Sequence, residues 1–222
     1  MKVNLIENFL SWQGEGPSAG KLMLILRFKT CSRKVPCYFC DTQVKMKALQ
    51  EAEYTLNQIQ ATVSRTKCGI MVTGGEPTFE ENYRQTYTLL TRLKYPLANV
   101  ETNGYNLVKL AGEVSRRNVQ FVWSPKIFSD EELIWSLALV EKIVEDNRIF
   151  IKLVAPTLKK YEISFLDSVL NKKEIDIRDR IYLMPEGKTR EEIIKNAPHV
   201  LELCQSYSVN FSSRNHLIFG FV

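Results

Sequence analysis

Residues 22–42 read LMLILRFKTCSRKVPCYFCDT. The run Leu22–Phe28 is almost wholly apolar and lacks the polar alternation of a half-exposed strand, as expected for a strand covered on both faces in a parallel sheet. It leads into three thiols within ten residues, Cys31, Cys37 and Cys40. Similar short runs follow at Gly69–Thr73, Ala98–Glu101, Val119–Trp123, Arg148–Val154 and Arg180–Met184. Between them lie helical stretches with start signals. Thr78-x-x-Glu81, Ser129-x-x-Glu132 and Thr189-x-x-Glu192 each fit a capping box, in which a hydroxyl and a carboxylate satisfy the orphan amides of a helix start. The pattern predicts repeated βα units and an α/β fold of about six parallel strands. Periodicity alone leaves both an incomplete TIM-type barrel and an open doubly wound sheet possible.

The polar motifs fall at strand ends or just after them: Cys31 to residue 41, Gly74 to Pro77, Thr102 to Gly104, and Ser124 to Lys126. Ligand sites of α/β folds gather at that carboxyl edge. Three thiolates can hold three irons of a cubane iron–sulfur cluster and leave the fourth iron open to a small molecule, an arrangement for catalysis. Cys-x2-Cys by itself also occurs in zinc and redox motifs, so the third cysteine and the glycines of TGGEP at 73–77 carry the discrimination. A zinc Cys3His site recruiting His199 or His216 is the rival arrangement. Cys68 and Cys204 stand alone in apolar or amphipathic surroundings and are expected to be buried, inert thiols.

Length and composition set bounds. A chain of 222 residues with 45% hydrophobic content buries roughly 70% of its unfolded surface in one core, so a single domain spanning 1–222 is expected. Five cysteines are too few for a disulfide scaffold and fit a reducing compartment. No apolar run is long enough to span a membrane and the start lacks a signal-peptide core, which predicts a cytoplasmic protein. The net charge of +5 and the pI near 8.9 come from scattered Lys and Arg, not from a nucleic-acid-binding run. Such a field favours an anionic substrate and a negatively charged reductase.

From QGEG at 13–16, through RFKTC at 27–31, CYFCDT at 37–42 and TGGEP, to ETNG at 101–104, SPK at 124–126, MPEG at 184–187 and the ending NHLIFGFV, the order and spacing resemble the 7-carboxy-7-deazaguanine synthases, a radical S-adenosylmethionine family. Two departures stand out. Five residues, where three are usual, separate Cys31 from Cys37, and Thr30 and Ser32 replace the glycine and asparagine that commonly flank the first cysteine. Two extra loop residues cost about 0.5 kcal/mol of closure entropy.

The resemblance implies a shortened radical-enzyme barrel and the following roles. Cys31, Cys37 and Cys40 would hold a [4Fe-4S] cluster whose open iron binds S-adenosylmethionine, the source of a 5′-deoxyadenosyl radical. Gly74 and Gly75 would let the backbone approach the methionine moiety, with Glu76, Glu101 and Asn103 beside it. Ser124, Pro125 and Lys126 would contact ribose or carboxylate, and Lys126 is also a catalytic candidate. Met184, Pro185 and Glu186 form a further cofactor-side loop. For substrate the candidates are Trp12, Gln13, Gly14, Glu15, Arg27, Thr73 and His216, together with the terminal carboxylate of Val222. Gln and Glu suit a pterin edge, and a guanidinium suits a carboxylate. A buried arginine needs a charged partner, so either a substrate carboxylate or a structural ion pair must account for Arg27. Thr42 would ligate Mg2+ through its hydroxyl.

The implied reaction is the ring contraction of 6-carboxy-5,6,7,8-tetrahydropterin to 7-carboxy-7-deazaguanine with loss of ammonia. The expected partners are a flavodoxin- or ferredoxin-type electron donor and a second copy of the chain in a homodimer. The rivals are another small radical enzyme, such as a glycyl-radical activase, and a zinc or iron–sulfur binding protein without turnover.

Overall fold

The structure, a computed structural model, describes residues 1–40, 42, 47–155, 160–171 and 176–221. The chain divides into two compact units, Met1–Gln13 with Gly20–Val122, and Gly14–Ala19 with Trp123–Phe221.

The first unit opens with β1 (Lys2–Leu5), β2 (Glu7–Trp12) and β3 (Leu22–Phe28), continues through β4 (Ala52–Thr55), α1 (Leu56–Thr66), β5 (Gly69–Gly74), α2 (Glu80–Arg92), β6 (Ala98–Thr102) and α3 (Leu107–Glu113), and includes β7 (Val119–Trp123) up to Val122. The strand order is β2-β3-β5-β6-β7, and β1 pairs with β4 in a separate two-stranded sheet among the described residues. β3 and β5 run parallel, as do β5 and β6, while β2 runs antiparallel to β3. Met23, Leu24, Leu26 and Phe28 of β3, Ile70 and Val72 of β5, Ile59 and Val63 of α1 and Leu89 and Leu90 of α2 are all buried. This is the two-sided burial that the unbroken apolar runs require.

The second unit holds α4 (Asp130–Ile143), β8 (Ile149–Ala155), α5 (Lys160–Leu170), β9 (Ile181–Pro185), α6 (Arg190–Tyr207), β10 (Asn210–Phe211) and α7 (Asn215–Phe219). Here the order is β8-β9-β10, all parallel. Its core includes Trp123, which meets Phe165 edge to face at a centroid separation of 5.9 Å, and the buried Ile151, Leu153, Leu166 and Leu183. The fold is therefore α/β with a mostly parallel sheet.

The six apolar runs each match a strand to within one residue. Beyond them lie the antiparallel β2 and the two-residue β10. The capping boxes fared unevenly. Thr189 and Glu192 form the reciprocal pair at the start of α6. Ser129 accepts from the Glu132 N–H, but Glu132 reaches back to the Phe128 N–H, one residue early. Thr78 does not cap α2, which starts after Phe79 without a side-chain cap: its hydroxyl donates to Glu76 at 2.7 Å and accepts from the Asn106 N–H at 3.3 Å. The sequence reading also passed over a full box, Thr55 with Gln58, at the start of α1.

Candidate functional site

In the first unit the cysteine loop and the TGGEP turn are bonded backbone to backbone. The Gly75 N–H donates to the Phe28 carbonyl at 3.0 Å and the Glu76 N–H to the Thr30 carbonyl at 2.8 Å. Asn82 Nδ2 also donates to the Thr30 carbonyl, at 2.9 Å. A Cβ on Gly75 would lie 2.0 Å from the Thr30 carbonyl oxygen and 2.8 Å from the Cys31 nitrogen, and one on Gly74, at φ +114°, would lie 2.3 Å from the Phe28 carbonyl oxygen. Glycine is needed at both positions so that β5 can end against the stem of the cysteine loop. That demand comes from the chain's own backbone and precedes any ligand.

Cys31, Cys37 and Cys40 are all free thiols, with Cys37 buried and the other two partly exposed. The Cys40 N–H donates to the Cys37 carbonyl at 3.0 Å. Burial pushes the Cys31 thiol up, reinforced by Glu76 and Cys40 and opposed by Arg33. A metal there would have to displace the proton, as thiolate sites do. Among the described residues no three His, Cys, Asp or Glu side chains already converge on one point. The donor set nonetheless fits an iron–sulfur cluster: three soft sulfurs on one irregular loop whose stem is fixed at Thr30 and Cys31.

Glu76 is buried, and its carboxylate turns inward. Oε1 accepts from the Thr78 hydroxyl at 2.7 Å, the Thr78 N–H at 2.9 Å and the Thr102 hydroxyl at 2.6 Å, while Oε2 accepts from the Asn103 N–H at 2.6 Å. Burial pushes its carboxyl up, and these donors hold it down in part. Asn103 Nδ2 donates to the hydroxyl of Ser32, next to Cys31.

Arg27 stands opposite Glu7 across the β2–β3 pair and opposite Thr73 across β3–β5. Its Nε forms an ion pair with the Glu7 carboxylate, and its Nη1 donates to the Thr42 hydroxyl at 3.3 Å. Arg27 thus has a protein counter-ion, Glu7, and sits beside Thr42, the residue expected to hold Mg2+. Gln13 follows the exposed Trp12 and is buried, with its Nε2 donating to Glu101 Oε1 at 3.1 Å. Glu101 Oε1 also accepts from Asn99 at 2.9 Å.

The second unit holds the remaining candidates. Glu15 Oε2 accepts from Lys152 Nζ at 2.8 Å and Oε1 from Arg214 Nε at 2.9 Å, with His216 Nε2 4.0 Å away. Burial alone would raise the Glu15 carboxyl, but the opposing charges of Lys152, Arg214 and His216 hold it well below the usual carboxylate range. Lys126 Nζ donates to the Ser124 hydroxyl at 2.8 Å, across Pro125. Met184 and Pro185 are buried at the end of β9, and the Glu186 N–H donates to the Ala155 carbonyl at 3.3 Å. Val222 lies outside the described residues, as does position 41.

Sequence reasoning missed Glu7, Lys152 and Arg214. Lys152 had a signal, as the one cation inside the apolar stretch of β8, where a buried ammonium demands a counter-ion. Cys204 is buried as expected, its Sγ 3.4 Å from the Asn210 carbonyl, and burial pushes its thiol up to about 11.

No family model matches the chain. Curated relatives do. The chain is 32% identical over 130 residues to a 7-carboxy-7-deazaguanine synthase of Thermoplasma acidophilum, covering 58% of this chain and 55% of the relative. It is 31% identical over 108 residues to that of Clostridium acetobutylicum, covering 47% of each. These alignments span about half the length of the relatives. Another runs nearly end to end: 26% identity over 223 residues to the synthase of Hyperthermus butylicus, covering 97% of this chain and 92% of the relative. Among solved structures, the crystal structure of QueE from Escherichia coli matches with a TM-score of 0.59 at 19% identity, over 97% of this chain and 95% of that one, a likeness of fold. The resemblance read from the motifs thus holds over nearly the whole chain.

Proposed function

We propose that this chain, a relative of the 7-carboxy-7-deazaguanine synthases, is itself such an enzyme, a radical S-adenosylmethionine lyase. It would convert 6-carboxy-5,6,7,8-tetrahydropterin to 7-carboxy-7-deazaguanine with loss of ammonia, in the biosynthesis of queuosine-type 7-deazapurines. The observation that carries the reading is the backbone pairing of the Gly75–Glu76 turn with the Phe28–Thr30 stem. It sets a thiol-rich loop at the carboxyl ends of parallel strands, where α/β enzymes do their chemistry. We read residues 1–222 as one domain, an incomplete barrel with N- and C-terminal segments that serve the substrate.

Cys31, Cys37 and Cys40 would hold the [4Fe-4S] cluster. With S-adenosylmethionine bound, that group supplies the one-electron chemistry that abstracts hydrogen from an unactivated carbon. The protein's own residues bind and orient. Glu76, through Thr78, Thr102 and Asn103, shapes the backbone rim beside the cysteine loop. Lys126 and Ser124 offer an ammonium and a hydroxyl to ribose or carboxylate. Arg27, with its remaining guanidinium edge, takes the substrate carboxylate, and the Thr42 hydroxyl beside it suits Mg2+. Gln13 and Glu15 are the candidate groups for the pterin edge, with His216 as a further substrate contact. Among the described residues no helix is long and apolar enough to cross a membrane. We place the enzyme in the cytoplasm as a homodimer fed by a flavodoxin- or ferredoxin-type donor.

The test is anaerobic reconstitution with iron and sulfide, followed by electron paramagnetic resonance of the reduced protein. The reading predicts a brown protein with about four irons per chain, a signal that shifts when S-adenosylmethionine is added, and loss of the cluster in Cys37→Ala. A colourless protein that retains only zinc would contradict it.

A further inference from the structure

Residues 210–216 run back along the second unit through successive hydrogen bonds. Asn210 Nδ2 donates to the Asp179 carbonyl at 2.8 Å, the Ser212 N–H to the Leu183 carbonyl at 2.8 Å, and Arg214 Nη1 to the Gly187 carbonyl at 2.6 Å. The same stretch then meets the turn at 14–16. The Gly16 N–H donates to the Ser212 hydroxyl at 2.8 Å and the Asn215 N–H to the Gly14 carbonyl at 3.0 Å. A Cβ at residue 14 would lie 2.2 Å from His216 Nδ1, so only glycine admits the imidazole there.

Into this seam is set the Glu15 carboxylate, gripped by Arg214 on one oxygen and Lys152 on the other. Lys152 and Arg214 are 5% and 9% exposed. Taking such charges out of water costs several kcal/mol per ion, and replacing a buried ion pair by apolar side chains is often neutral or stabilising. Stability alone is therefore a poor reason for three charges here. What they add is fixed geometry, since the planar Arg214 guanidinium donates to Glu15 Oε1 through Nε and to the Gly187 carbonyl through Nη1 and so holds the carboxylate at a set angle to the chain.

We propose that Arg214, assisted by Lys152, is a positioning residue that clamps Glu15, fixes the C-terminal segment on the 14–16 turn, and so presents Glu15 and His216 together to the substrate. The naming of that substrate as a pterin rests on the function proposed above, whereas the clamp itself does not. An ionised Glu15 is acceptor-only. It suits the N–H edge of a guanidine-like ring and cannot act as a proton donor.

The test compares the full-length protein with Arg214→Met, Arg214→Lys and Lys152→Met in two measurements. The first is amide hydrogen exchange of residues 211–219, with β5 as a control for folding. The second is anaerobic turnover of 6-carboxytetrahydropterin, scoring product and 5′-deoxyadenosine. We expect exchange at 211–219 to rise about tenfold or more in Arg214→Met, the loss expected for one charge-assisted hydrogen bond, with β5 unchanged and partial rescue by Arg214→Lys. KM for the pterin should rise and more deoxyadenosine should form per product. Unchanged exchange at 211–219 in Arg214→Met overturns the clamp, as does a loosened segment with unaltered KM and coupling. Should Arg214→Met fail to fold, Lys152→Met and Arg214→Lys carry the same comparison. If the wild-type protein does not turn over the pterin, the proposed function fails and the exchange data alone decide the clamp.

Discussion

Asn103 Nδ2 donates to Ser32 Oγ at 2.9 Å, joining the loop after β6 to the residue next to Cys31. Glu76, from the turn after β5, accepts from the backbone of the same Asn103. The loops at the carboxyl ends of β3, β5 and β6 are therefore one hydrogen-bonded rim. Glu76, expected from the motif as a contact for cofactor, uses its carboxylate to hold that rim together.

Replacing Glu76 by Ala takes the acceptor from the Thr78 and Asn103 amides and from one of the Thr78 and Thr102 hydroxyls, which lie 3.2 Å apart and can satisfy only one donor between them. The expected loss is ~3 kcal/mol or more, each stranded buried donor costing ~1–3 kcal/mol. Glu76→Gln, which keeps the shape and one acceptor oxygen, should lose less. Denaturant unfolding of both variants measures this, and equal stability of Glu76→Ala and the parent would refute the rim.

Gly75→Ala forces a methyl into the Thr30 carbonyl. Overpacking of this kind costs ~1–3 kcal/mol, and displacement of the Cys31 stem should lower iron uptake as well. Gly112 is the control. It lies exposed in α3 with nothing within 4 Å of a Cβ, so Gly112→Ala should raise stability by ~0.5–1 kcal/mol through helix propensity. Thermal unfolding and iron analysis of the pair separate the two effects.

The parts of the fold that the sequence made legible were those governed by local pattern. Leu22–Phe28 and the other five runs are covered on both faces, and burial leaves an unbroken apolar string. β1 alternates exposed and buried residues over only four positions, β2 and β4 are mixed in composition without a regular alternation, and β10 has two residues, too little pattern to mark a strand. Thr78 shows how a tertiary partner overrides a local rule: its hydroxyl donates to Glu76 and accepts from the N–H of Asn106, 28 residues on, instead of from the start of α2. At the site, the thiols and glycines were readable because their chemistry is contiguous in sequence. The partners of Glu15 were not, lying 137 and 199 residues away.

Glu15 should make stability depend on acid. Its folded carboxyl lies below the ordinary value of 4.5, so its ion pairs contribute fully above that value, and the contribution is lost as pH falls through the folded value. Unfolding free energies from about pH 6 down to about pH 3 should therefore decline more steeply for the parent than for Glu15→Gln, which binds no proton at this position. Parallel curves would show that Glu15 is not held ionised.

Arg27 has two candidate roles, and Glu7 separates them. Arg27→Ala should raise the KM for the pterin while deoxyadenosine formation persists without product, because the carboxylate anchor is lost and the cofactor chemistry is kept. Glu7→Gln removes the ion pair alone, with a stability cost of about 1 kcal/mol and little change in KM. If both variants change stability alike and neither changes KM, Arg27 serves only its partner on β2.

The central claim is the reaction, and one anaerobic incubation tests it. Reconstituted protein, reductant, Mg2+, S-adenosylmethionine and 6-carboxytetrahydropterin are combined, and mass spectrometry scores 7-carboxy-7-deazaguanine and 5′-deoxyadenosine together. The account predicts both products, each dependent on all three cysteines of the 31–40 loop. Deoxyadenosine without the deazaguanine, from protein with a full cluster and intact substrate, would contradict the assigned substrate, and the absence of both would contradict the radical chemistry itself.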